Sequence, residues 1–243
     1  MSFLMFKNFQ IFDGVLNSLS NNKQFITTLN AHSYNIALVD EAFKEALQYS
    51  NILIPDGIGV VWATKWLTGK KLKKIAGEDL FFYEMNRLQS TSGKCFFLGS
   101  SEATLARIKE KAIKEYPAVT ISTYSPPYKP EFSEHDNTAI LGAINAIKPD
   151  VLFVGMTAPK QEKWAYRHFS QLQVGHVCCI GAVFDFYAGT IKRAPKWMIK
   201  LGLEWLYRLI KEPRRMWKRY IIGNVQFIWY IIKEKYHLKK QLQ

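Results

Sequence analysis

Short apolar runs that alternate with helix-length segments constrain the fold of this 243-residue chain more than any other feature. The runs lie at residues 25–30, 51–55, 94–99, 118–124, 151–156 and 176–186, rich in Ile, Val, Phe and Cys. Between them, residues 39–49, 102–116, 134–147 and 160–169 are long enough for crossover helices. Alternation of this kind predicts an α/β chain with a doubly wound, mainly parallel sheet. In such a sheet the carboxyl ends of the strands converge on one rim, where open α/β folds bind ligands.

After about Thr190 the strand pattern stops, and two helices are expected over residues 195–212 and 213–237, with Pro213 suited to the first turn of the second. The chain therefore divides into an α/β domain at 1–190 and a helical appendage at 191–243. Charge divides the same way. Residues 192–243 hold 14 Lys and Arg against 3 Asp and Glu, a net of +11, while residues 1–191 hold 19 against 17, a net of +2. Four of the seven tryptophans, Trp197, Trp205, Trp217 and Trp229, share that tail with Tyr207, Tyr220, Tyr230 and Tyr236. Cations interleaved with Trp and Tyr suit an anionic membrane surface, with nucleic acid the rival partner. Trp217, Tyr220, Ile221, Asn224, Phe227, Ile228 and Ile231 fall on one helical stripe, which points to membrane docking or self-association as a homo-oligomer. No secretory leader and no spanning helix are expected, because no window reaches about 18 uninterrupted apolar residues. Cys95, Cys178 and Cys179 lack metal-ligand spacing and read as reduced core thiols.

Four strand ends collect polar residues: Thr28 and Asn30; Asp56; Gly155 with Thr157 and Gln161; Gly181 with Asp185. Each has a plain structural alternative. Asp56 stands in Pro-Asp-Gly, a sequence suited to a simple turn. Gln161 follows Pro159 where a first-turn polar residue is ordinary, and Asp185 between Phe184 and Phe186 could be a satisfied buried carboxylate. A fifth place, FLGSSEATLARI, leads from a strand into a helix whose free N–H groups could hold an anion or simply be capped. The dinucleotide and P-loop fingerprints are both missing, since Trp62 occupies the third glycine's place after Gly57 and Gly59. No D-x-D pair is present to hold a divalent metal on a diphosphate. Without one, Lys and Arg must neutralise a leaving diphosphate, and the tail is rich in both.

The blocks ITTLNAHS, ILIPDGIGVV, KIAGEDL, VGMTAPKQEKW, IGAVFDFYAGTIKRAPKWM and GLEWLYRLIKEPRR, in this order over nearly the whole chain, resemble the WecG/TagA/CpsF family of bacterial glycosyltransferases. The resemblance implies a Rossmann-like domain with a C-terminal appendage. It also implies inverting, metal-independent transfer from a UDP-sugar donor to a polyprenyl-diphosphate-linked sugar acceptor at the cytoplasmic membrane face. Such enzymes build enterobacterial common antigen, teichoic acid linkage units, capsules and exopolysaccharides. By position, Asp56 falls where the family has its proposed catalytic base, and Thr28, Asn30, Gln161 and Asp185 match donor-pocket positions. Arg208 and Arg215 match appendage arginines that meet the diphosphate. Lys74 stands where an Arg is usual, which replaces a bidentate clamp by a point charge. A third appendage cation falls on Lys218 or Arg219. No cofactor, metal or nucleic acid is implied, and the chain is placed in the cytoplasm, peripherally on the inner face of the membrane. The expected donor is of the N-acetylmannosamine type, among other UDP-sugars. A UDP-sugar hydrolase or epimerase is the enzymatic alternative, and a nucleic-acid-binding protein the non-enzymatic one.

Overall fold

A parallel strand buried on both faces needs an unbroken apolar run, and the runs noted above become the middle of one sheet. The computed structural model describes residues 2–241. Its strands are β1 (Phe3–Phe6), β2 (Phe9–Phe12), β3 (Gln24–Leu29), β4 (Ile52–Pro55), β5 (Lys94–Gly99), β6 (Thr120–Tyr124), β7 (Val151–Gly155) and β8 (His176–Cys179), in the spatial order β1-β2-β4-β3-β8-β7-β5-β6. All neighbours pair in parallel except β1 and β2. The helices are α1 (Ala31–Ala37), α2 (Glu41–Tyr49), α3 (Ile58–Thr68), α4 (Gly77–Thr91), α5 (Glu102–Glu115), α6 (Glu134–Ile147), α7 (Lys160–His168), α8 (Val183–Tyr187), α9 (Lys196–Lys200), α10 (Glu204–Lys211), α11 (Pro213–Trp217) and α12 (Gly223–Gln241). A π-helical turn, Lys218–Ile222, joins the last two. The expected α/β doubly wound sheet is present, and its chain order reverses between β3 and β8.

Alternate residues of the strands feed opposite faces of the sheet. Ile26, Ile54, Phe97, Phe153 and Cys178 pack on one side with α4, α5 and α8. Phe25, Phe96, Val154 and Cys179 pack on the other with α6 and α7. The three cysteines are free and buried, and burial pushes all three thiols up.

Three local readings are corrected. The first residues, outside the apolar runs named above, form the β1–β2 hairpin, turning through Lys7 at φ +55°. The last apolar run leaves the sheet at Cys179, and residues 183–187 are helix. The first tail helix breaks at Gly202, which adopts φ +74°, into α9 and α10.

The tail is joined to the α/β layer. Phe227 and Ile231 of α12 are buried in the same cluster as Leu29, Tyr34 and Val60. The Phe227 ring meets Tyr34 edge-on, with centroids 5.3 Å apart and planes at 90°. Asn35 Nδ2 donates to the Gly223 carbonyl at 2.7 Å, and Gly59 lets the Phe227 ring approach within 3.5 Å of where a Cβ would stand. Other members of the stripe, Trp217, Ile221 and Ile228, remain exposed. Phe227→Ala should therefore cost about 3–5 kcal/mol of stability, as truncation of a buried Phe does. A urea unfolding midpoint equal to that of the parent chain would show that α12 is not part of the core.

Candidate active site

The loop after β4 shows how sequence places a carboxylate. Pro55 ends β4, paired with Leu29, and the Asp56 N–H donates to the Leu29 carbonyl at 2.9 Å. Gly57 then takes φ +93°, a conformation costly for any residue with a Cβ, and turns the chain into α3. The turn and the candidate catalyst are thus one feature. Beside it, Asn30 caps α1: its Oδ1 accepts the N–H groups of His32 and Ser33, each at 3.0 Å, and Ser33 Oγ accepts the Asn30 N–H at 2.7 Å. Only the amide nitrogen of Asn30 is left for a ligand.

All four strand ends open into one cleft of about 1580 Å3 at the switch between β3 and β8. It is lined by Thr28, Asn30, Asp56, Lys74, Gln161 and Asp185, and from the tail by Arg208, Arg215 and Arg219. Lys218 does not line it. Its ammonium lies 5.7 Å from the Trp217 ring centroid on the exposed side. The π-helical turn resets the angular phase of the side chains just there, which puts Arg219 over the cleft and its neighbour outside. Asp185 sits in the first turn of α8, partly exposed, with Thr190 Oγ1 donating to its backbone carbonyl at 3.1 Å. The fifth place is an ordinary cap outside the cleft, where Ser101 Oγ accepts the Thr104 N–H at 3.3 Å.

Electrostatics single out Asp56. Burial, and secondarily the Glu204 carboxylate, push its pKa up to about 6, against the pull of Lys74, Arg219 and Arg193. Arg193 ties Glu204, at 3.0 Å, to Glu78 at the start of α4. The Arg193 and Arg208 guanidinium groups lie 5.9 and 5.5 Å from the Phe186 ring centroid. Burial, reinforced by Arg208 and Arg215 and opposed by Tyr220 and Asp56, holds Arg219 below the usual guanidinium range. Among the described residues, the buried Nε atoms of Arg208 and Arg219 have no hydrogen-bond partner. Three arginines on the lining of one cleft suit an anion.

Sequence reasoning passed over four residues here. Burial and the nearby Arg219 bring the His32 pKa down to about 4, so the imidazole is neutral. Burial pushes Glu162 up to about 7, partly offset by Gln161 Nε2, which donates to Glu162 Oε1 at 2.8 Å. Arg193 and Glu204 both stand inside sequence blocks quoted above, so their signal was available. Among the described residues no group of three or more His, Cys, Asp or Glu is arranged to hold a metal ion.

A Rossmann-like sheet with an elevated carboxylate at its switch-point cleft and arginines folded over it has the build of a glycosyltransferase. The chain belongs to the Glycosyl transferase WecG/TagA/CpsF family, whose profile matches residues 6–241. It is 33% identical over 218 residues, 88% of this chain and 81% of the relative, to an N-acetylglucosaminyldiphosphoundecaprenol N-acetyl-beta-D-mannosaminyltransferase of Bacillus subtilis strain 168. Proteins of the same name from Bacillus spizizenii and Staphylococcus aureus strain MW2 are 32% and 29% identical, over 88% and 91% of this chain and 81% and 84% of theirs. It is an enzyme of the transferase class, and these relatives give no support to the hydrolase, epimerase or nucleic-acid readings.

Two outcomes follow from the geometry. With Asp56 acting as a base, kcat/KM falls about tenfold per pH unit below about 6, because the carboxylate must be ionised to accept a proton. Glu204→Gln removes a repelling charge and moves that limb to lower pH; an unmoved limb would mean another group titrates. Arg219→Ala should lower kcat by about 10²–10³, as loss of a charge-stabilising donor does, while Lys218→Ala stays near the parent rate.

Proposed function

We propose that this chain transfers N-acetylmannosamine from its UDP conjugate to a polyprenyl-diphosphate-linked N-acetylglucosamine, with inversion at the anomeric carbon. The observation that carries this reading is the shared cleft. An aspartate with pKa about 6 and the side chains of Arg208, Arg215 and Arg219 line one space. At about 1580 Å3, its extension between α3 and α12 included, the space exceeds the 300–1,000 Å3 usual for one small ligand, leaving room for more than the donor. The sugar and acceptor are chosen on the relatives' printed names.

In this mechanism Asp56 takes the proton of the attacking acceptor hydroxyl as the new bond to the anomeric carbon forms. The bond to the UDP oxygen breaks on the opposite face, and the leaving diphosphate is met by Arg208, Arg215 and Arg219. Lys74 adds a point charge, and Thr28, Asn30, Gln161 and Asp185 orient the donor. Residues 191–243 act as an appendage that also holds the enzyme to the inner, anionic face of the membrane. The exposed Trp197, Trp217 and Trp229 would suit a second copy as well, but a segment of net +11 favours lipid phosphate over itself. No helix among the described residues is long and apolar enough to cross a membrane.

The test is UDP release from a panel of UDP-sugars with and without a polyprenyl-diphosphate N-acetylglucosamine acceptor. Acceptor-dependent release with UDP-N-acetylmannosamine is expected. Release independent of acceptor would make the protein a hydrolase, and dependence on another donor would reassign the sugar.

A further inference from the structure

Two helices leave the reactive end of the cleft side by side. α3 starts two residues after Asp56, and α12 starts four residues after Arg219. Gly59 faces the Phe227 ring, and further along Lys235 Nζ donates to the Trp66 carbonyl at 2.7 Å, so the pair advances in the same direction. Between them the same cleft continues as an apolar trough. Trp62 and Trp66 line it from α3, and Val225, Ile228 and Ile232 from α12. These side chains are far from buried: Trp62 is 74% exposed, Val225 65% and Ile228 56%. Apolar surface collected along one channel, instead of scattered singly, marks a binding surface.

The chemistry of the occupant follows from the order of the walls. At the shared origin stand Arg208, Arg215 and Arg219, suited to a diphosphate; from there onward Trp, Val and Ile predominate, with Lys65 the one charged side chain on the lining of α3. α3 is 11 residues long, about 16 Å of helix, enough for a few branched C5 units laid end to end. We propose that this trough binds the first isoprenoid units of the lipid-linked acceptor, as a subsite of the enzyme itself and not merely of the bilayer. The inference rests on the transferase reading above. A bilayer meets a protein on an outer face, whereas a channel walled by two helices and continuous with Asp56 suits one chain entering head first. Its function is to align the acceptor sugar: with diphosphate and chain both seated, the hydroxyl has little freedom left in front of the base.

The experiment uses the full chain, without vesicles, and water-soluble acceptors that carry the same diphosphate sugar and an isoprenoid chain of increasing length, below their micellar concentration. Acceptor KM should fall about tenfold or more as the chain fills the trough and then level off, the scale expected for burying a few apolar groups. Trp62→Ala and Ile228→Ser should each raise KM about tenfold for the long acceptor while leaving kcat/KM for the shortest within about twofold. Both side chains are exposed, so folding should be unaffected, and an unchanged unfolding midpoint checks this. A KM independent of chain length, a length dependence that appears only with vesicles, or a parental length dependence in both variants would overturn the subsite while leaving the transferase intact. No turnover with any acceptor would overturn both readings.

Discussion

The edge-on contact of Phe227 with Tyr34 is the interaction on which the rest of the site depends. Tyr34 lies on α1, whose first turn is capped by Asn30 next to Asp56; Phe227 lies on α12, one turn beyond the segment that carries Arg219. Seating one ring against the other brings a tail with most of the chain's net charge onto the rim of the sheet. A basic segment of this composition would be a solvated arm if left to itself. Held by Phe227 and Ile231, it becomes the roof of a cleft.

That roof changes what Asp56 can do. A carboxylate moved out of water resists ionisation, and Glu204 adds to the resistance. Lys74, Arg193 and Arg219 work the other way, so the group ends at about 6, still ionised at neutral pH and more basic than an exposed aspartate. Two of these cations, Lys74 and Arg219, are also the ones proposed to meet the diphosphate, and binding of that anion would weaken their hold on Asp56. In the proposed mechanism, base strength and leaving-group stabilisation are therefore coupled through Lys74 and Arg219. Arg193 pairs with both Glu204 and Glu78, which fixes Glu204 beside Asp56.

The fold was legible where burial is two-sided. β4, β7 and the Cys95–Leu98 part of β5 are continuous apolar runs because both faces are covered, and four of the helices between the strands, α1, α2, α5 and α6, have serine, asparagine or aspartate caps. The β1–β2 hairpin was not legible: it turns at Lys7-Asn8, without the glycine that usually announces such a turn. Convergence of Thr28, Asn30, Asp56, Gln161 and Asp185 could be read from topology alone, since carboxyl ends of parallel strands share a rim. The choice between Lys218 and Arg219 could not, because three and four residues after Arg215 both fall on its helical face, and the π-helical turn that shifts their phase is not visible in the sequence. His32 and Glu162 were hidden for another reason. Both sit in the first turn of a helix, where polar residues are expected anyway, and only the packing shows that they line the cleft.

Donor binding and single-turnover transfer by Asp56→Asn test the central claim most directly, because the amide keeps the shape of the carboxylate and removes only its basicity. The donor should bind within about threefold of the parent affinity, while transfer slows by about 10²–10⁴, the usual contribution of a general base. Transfer at the parental rate would remove Asp56 from the chemistry, and loss of donor binding would make it a ligand contact instead of the base.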